Sequence, residues 1–105
     1  MELIYHVTTK QEWDDALKKG FYEGASLKPE GFIHCSKANQ VQGVLERYFK
    51  NKTDLVKLII DTNKLTNKLR FDFSPSVNEE FPHVYGVINI DAVIEVQFIT
   101  HTHNL

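Results

Sequence analysis

The sequence predicts a single α+β domain. Three observations carry that expectation. Helix-type patterns occur only in the first half of the chain, strand-like stretches dominate the second half with short connections, and 105 residues is one domain's length. The order reads β, α, β, α, then mostly β, which excludes a doubly wound parallel sheet.

Residues 3–8, Leu-Ile-Tyr-His-Val-Thr, are rich in β-branched and aromatic side chains and read as a strand. Alternation puts His6 on the face of Ile4 and Thr8, with Leu3, Tyr5 and Val7 on the other. Thr9-Lys10-Gln11-Glu12 has the form of a capping box, in which Thr9 accepts from the Glu12 N–H and the Glu12 carboxylate reaches back. A short helix follows with Trp13, Ala16 and Leu17 inward. Lys18 and Lys19 suit its C-terminal dipole and Gly20 its left-handed stop.

Residues 21–31 hold two glycines and Pro29 and read as an irregular loop. Gly31 to Cys35 is a short second strand, and Ser36 is placed to cap the next helix. Val41, Val44, Leu45, Tyr48 and Phe49 then recur at helical spacing. Leu55 to Ile60 is nearly all apolar, as a central strand is. Asp61 to Lys68 is turn-like, Leu69 to Phe73 a strand, and Ser74 to Glu80 a loop. Phe81-Pro82-His83-Val84-Tyr85-Gly86 is a non-helical aromatic segment, with Phe81 expected in the core. Ala92 to Ile99 is a last strand. The expected folded core is 3–99, and residues 100–105 are expected to be a mobile tail.

Composition excludes several classes. Hydrophobic residues are 42% and charged residues 25%, an ordinary globular mix. Twelve basic against fourteen acidic side chains give a net charge of −2, which supports no general nucleic-acid binding. One cysteine excludes an intrachain disulfide and a Cys-rich zinc site. No apolar run approaches the ~20 residues that span a bilayer, and the basic start of a signal peptide is missing. The expectation is a cytoplasmic protein without membrane association.

Three of the five histidines, His6, His34 and His83, interrupt apolar or aromatic segments. Imidazole accepts, donates or carries charge near neutral pH, so three in separate elements make a candidate cleft. The competing reading of each is structural, a ring bonded by neighbouring backbone. Ser26, Ser36 and Tyr85 are candidate ligand-binding neighbours, and Glu80 and Asp72 the candidate carboxylates. A histidine metal site is an alternative, although no two of the three have short ligand spacing. His101 and His103 read as a solvated tail. Cys35 and His34 point to opposite strand faces, so they do not form a nucleophile–base pair.

The blocks Leu3-Ile-Tyr-His-Val-Thr8, Glu30-Gly-Phe-Ile-His-Cys-Ser36 and Phe81-Pro-His-Val-Tyr-Gly86 resemble the uncharacterised bacterial family known as domain of unknown function 952. More distantly, Tyr5-His6-Val7-Thr8, Gly20 and Ile33-His34-Cys35-Ser36 resemble the ADP-ribosyltransferase and RNA 2′-phosphotransferase fold. That resemblance implies a curved, split, antiparallel-rich sheet with two main helices. It also implies NAD or an ADP-ribosyl-type nucleotide as ligand, with His6 on the ribose, Thr8 nearby, His34 as second histidine, and transferase chemistry. Val7 stands where the wider superfamily has glycine, and no arginine matches the phosphotransferase signature. The alternatives are a non-catalytic ligand- or protein-interaction module with structural histidines, and the histidine metal site.

Overall fold

Seven residues, Leu3–Thr9, form the first strand, β1, and Thr9 ends it by capping helix α1, Lys10–Lys19. A computed structural model describes residues 2–99. The expected mobile tail, with His101 and His103, lies outside them. The Thr9 hydroxyl accepts from the Glu12 N–H at 3.1 Å, and Gly20 stops the helix at φ 95°. The box is only half made, because the Glu12 carboxylate accepts from the Thr8 hydroxyl instead. Trp13 and Ala16 are buried, whereas Leu17 is 52% exposed, one step outside the narrow inward stripe.

The expected loop after Gly20 contains two short elements. Strand β2, Phe21–Tyr22, pairs antiparallel with β7, Ile88–Asn89, and a single helical turn, α2, spans Leu27–Glu30. Strand β3 is Ile33–His34. Helix α3, Val41–Tyr48, follows a 3-10 turn at Ala38–Gln40. Ser36 does not cap it: Ser36 exchanges both backbone bonds with Tyr5, and the Gln40 side chain accepts from the Lys37 N–H.

The remaining strands are β4 (Leu55–Asp61), β5 (Lys68–Ser74), β6 (Glu79–Tyr85) and β8 (Val93–Ile99). All pairings are antiparallel, in the orders β1-β4-β8 and β3-β6-β5. As its apolar run requires, β4 is central, with Val56, Leu58 and Ile60 fully buried. The two three-stranded sheets touch at one bridge, Tyr5–Ser36. Beyond it they part, giving an α+β fold whose sheet is split between β1 and β3.

Two apolar clusters flank β1 and β4. One holds Ile4, Trp13, Tyr22, Ile33, Leu58 and Val84 beneath α1; the other holds Val7, Val41, Leu45 and Leu55 beneath α3. Pro82 lies inside β6, where a missing N–H is normally costly. Its carbonyl accepts from Cys35 at 2.9 Å, proline cannot return that bond, and the β3–β6 ladder ends at His34–His83. Gly86 closes the strand at φ 148°, where a Cβ would lie 2.5 Å from Asn67 Cγ. Among the described residues no helix is long and apolar enough to cross a membrane.

Candidate functional site

The split in the sheet opens a cleft of about 530 Å³, of a size that takes small ligands. His6, His34 and His83 all line it. Val44, Tyr48 and Phe49 from the end of α3 form one wall, and Phe73, Val77 and Phe81 from the β5–β6 hairpin form the other. Helix α3's apolar stripe is thus divided: Val41 and Leu45 go to the core, while Val44, Tyr48 and Phe49 face the cleft. Phe81, expected in the core, is half-buried at that wall, because it shares a face with His83 rather than with Val84.

His6 belongs to the face of Ile4 and Thr8 and reaches the cleft through the split. Its Nδ1 lies 2.5 Å from the His34 carbonyl oxygen. A carbonyl only accepts, so Nδ1 carries the proton and Nε2 of the neutral ring accepts. Nε2 faces the Tyr22 hydroxyl at 2.7 Å. That hydroxyl donates to Thr8 Oγ1 at 3.1 Å, and the Thr8 hydroxyl donates in turn to the Glu12 carboxylate. Burial holds the His6 pKa down to about 4, against the opposing pull of the His34 carbonyl. Burial likewise raises the Tyr22 hydroxyl, so the pair is neutral near pH 7. His6 Nδ1 is thereby committed to the His34 carbonyl, and Nε2 lies against the Tyr22 hydroxyl.

The other two histidines differ. Register sets His34 opposite His83, so both rings stand on one face, with centroids 4.9 Å apart and planes at 76°. Phe32 stacks on His83 at 4.1 Å and 18°. His34 Nε2 is 3.0 Å from Glu30, leaving Nδ1 without a hydrogen-bond partner among the described residues. His83 Nδ1 is 2.8 Å from Asp72 Oδ2, which also accepts from the Tyr85 hydroxyl. These two bonds, Tyr85's first, hold the Asp72 carboxyl below its usual range. His83 is pushed down by burial, with Asp72 opposing.

The expected neighbours divide. Ser36 lines the cleft. Tyr85 does not line it and serves Asp72 instead. Ser26 is not in the lining either, since its hydroxyl donates to the Phe32 carbonyl at 2.7 Å and pins α2 to β3. Thr8 lies behind His6 rather than in the cleft. Glu80 contributes only its carbonyl, to Gln40, and its carboxylate is not at the site. Asp72 is the candidate carboxylate that meets a histidine. Cys35 is 3% exposed and its thiol is pushed up by burial, as befits a small apolar residue. Among the described residues no group of three or more His, Cys, Asp and Glu side chains is placed to hold a metal.

The sequence does not single out Glu30, Phe32 and Arg70, and it offers Tyr22 as a loop residue that could line a cleft. Spacing was the available signal: Glu30 and His34 are four apart across a turn, and Arg70 and Asp72 alternate on one strand face.

Fold and cleft together define a small α+β protein with a histidine-lined cavity at a split sheet. The profile of the family described as "Protein of unknown function (DUF952)" matches residues 7–96, and the chain belongs to that family. It is similar to the crystal structure of protein CC0527 from Caulobacter crescentus, at 30% identity and a TM-score of 0.81, covering 90% of this chain and 82% of that one. The solution NMR structure of CC0527 agrees at 29% identity and a TM-score of 0.80, covering 95% and 86%. No curated protein matches the chain.

Proposed function

We propose that this protein binds NAD or a related ADP-ribosyl-type nucleotide in the histidine cleft and acts on it at the ribose. The observation that carries the reading is the convergence of His34 and His83, each with one nitrogen on a carboxylate, at the end of an otherwise apolar cleft. An aromatic base and its ribose suit such a site: the ring packs between Phe49, Phe73 and Phe81, and the hydroxyls meet the histidines. The split sheet and the Tyr5-His6-Val7-Thr8 strand support the wider ADP-ribosyltransferase-like fold. His6 acts there as a buttress in the cleft wall, joining β1 to β3 through the His34 carbonyl.

No lysine or arginine is among the described lining residues. The phosphates of such a ligand therefore lie outside the cleft, and the ring–ribose half carries recognition. A thermal-shift comparison tests this. NAD, nicotinamide mononucleotide and AMP each carry an aromatic base on a ribose and are expected to stabilise; a ligand at 100 times its Kd adds about 2.7 kcal/mol. If none of the three changes the melting temperature at millimolar concentration, the nucleotide reading is wrong.

A second reading has its own observation. His6 Nδ1 donates to a main-chain carbonyl and Nε2 lies against the Tyr22 hydroxyl, as in a structural histidine. If the same holds in function for His34 and His83, the cleft is a non-catalytic binding site. Turnover, as opposed to binding, separates the two.

A further inference from the structure

We propose that Asp72 and His83 form the base of the cleft, with His83 Nε2 taking the proton from a water that attacks the ribose carbon of the bound nucleotide. The inference rests on the nucleotide reading and deepens it.

The β5–β6 register places Arg70 opposite His83 and Asp72 opposite Phe81, so Asp72 is the diagonal neighbour of His83 on one face. Asp72 Oδ2 takes the His83 Nδ1–H at 2.8 Å and the Tyr85 hydroxyl, while Oδ1 faces Arg70 Nε at 3.7 Å. An ionised carboxylate only accepts, so His83 is held as the Nδ1–H tautomer with a lone pair on Nε2. Nε2 has no hydrogen-bond partner among the described residues. Phe32 stacks on one side of the ring and His34 meets it edge-on. Burial keeps the imidazole neutral near pH 7, ready to accept a proton, and Asp72 stabilises the cation that results.

The step balances. The water oxygen bonds to the ribose carbon as its proton passes to His83 Nε2. The carbon–nitrogen bond to the pyridinium ring breaks, and its electron pair neutralises the ring, which leaves as nicotinamide. The imidazolium, paired with Asp72, then returns its proton to solvent. NAD and water give ADP-ribose, nicotinamide and a proton. His83 is the catalytic residue, and Asp72 a positioning residue.

The test measures nicotinamide release from NAD and, in parallel, NAD affinity by calorimetry, for the whole chain and for His83→Gln and Asp72→Asn. Because His83 also meets the ribose in this reading, release is compared at saturating NAD, where a change in affinity does not enter kcat. His83→Gln should lose 100-fold or more in release, in the range of general-base catalysis. Asp72→Asn, which keeps the ring, should lose less and move the acid limb of the kcat/KM profile to lower pH. The groups facing His83 that set that limb are Asp72 and Arg70 of β5, Tyr85 of β6, His34 of β3 and Glu30 of α2. Nitrogen-15 spectra should show the Nδ1–H tautomer in the wild type, a readout that survives even if His83→Gln fails to fold. Release at wild-type rate in either variant, an Nε2–H tautomer, or wild-type binding without release overturns the base assignment and leaves the binding reading standing. Absence of NAD binding overturns the binding reading and this one with it.

Discussion

His6 closes its ring onto the main-chain carbonyl of His34, Nδ1 to oxygen at 2.5 Å, at the point where β1 and β3 part. One step earlier, Tyr5 and Ser36 exchange two backbone bonds at 2.8 and 2.7 Å. The next carbonyl along β3 is met by a side chain instead of a backbone N–H. The ring thereby satisfies an acceptor that the split leaves open, and the split can persist as a cleft rather than zip shut.

Replacing His6 with Ala strands the His34 carbonyl, while the Tyr22 hydroxyl keeps its bond to Thr8. An unsatisfied buried partner costs about 1–3 kcal/mol, so His6→Ala should lower the urea unfolding free energy by at least that amount. Unchanged stability would show that the ring is not the keystone of the split.

The same residue sets a pH dependence. Its folded pKa is depressed from 6.5 to about 4, so the unfolded chain binds the proton more readily. Stability from this source is fully present above pH 6.5 and is lost as pH falls toward 4. Between pH 7 and pH 5 the loss should be about 2 kcal/mol, and His83, also depressed, adds in the same direction. Urea titrations at both values check it, and in His6→Ala the slope should shrink. A flat profile would contradict the buried, neutral ring.

Tyr22→Phe removes only the hydroxyl that stands between His6 Nε2 and Thr8. The ring is 3% exposed and remains in the core. The expected cost is about 1 kcal/mol by denaturant unfolding, with the fold retained. A cost above that of His6→Ala would place the strength of the network at Tyr22 instead.

Ser26→Ala separates loop architecture from ligand contact. Losing the bond to the Phe32 carbonyl should cost about 1 kcal/mol of stability. Nucleotide affinity should stay within twofold, because Ser26 is outside the cleft lining. A tenfold loss of affinity would return it to the site.

Much of this architecture is legible in the chain because local signals agree with tertiary ones. Thr9, Gly20 and the Trp13–Ala16 spacing announce α1, and the apolar run of β4 announces a central strand. Strands β2 and β7 are two residues each, too short to carry a pattern, and exist only because each pairs with the other. Pro82 and Gly86 disguise β6 as a punctuated segment, since nothing local shows that the proline's missing N–H falls where β3 ends. At the site, the three histidines stand out as polar rings in apolar strands. Their partners Glu30, Tyr22 and Arg70 look like ordinary surface or loop residues until register brings them close. The different status of His6 is equally invisible, because strand alternation alone does not reveal a ring that crosses a split sheet.

On the reading proposed above, the cleft between α3 and the β5–β6 hairpin holds the ring–ribose half of a nucleotide against His34 and His83. Chemical-shift mapping with nicotinamide mononucleotide tests it most directly. Saturable shifts are expected at the His34 and His83 imidazoles and the Phe49, Phe73 and Phe81 rings, with Ser26 and Glu80 unmoved. No saturable shifts, or shifts confined to residues outside that lining, would contradict it.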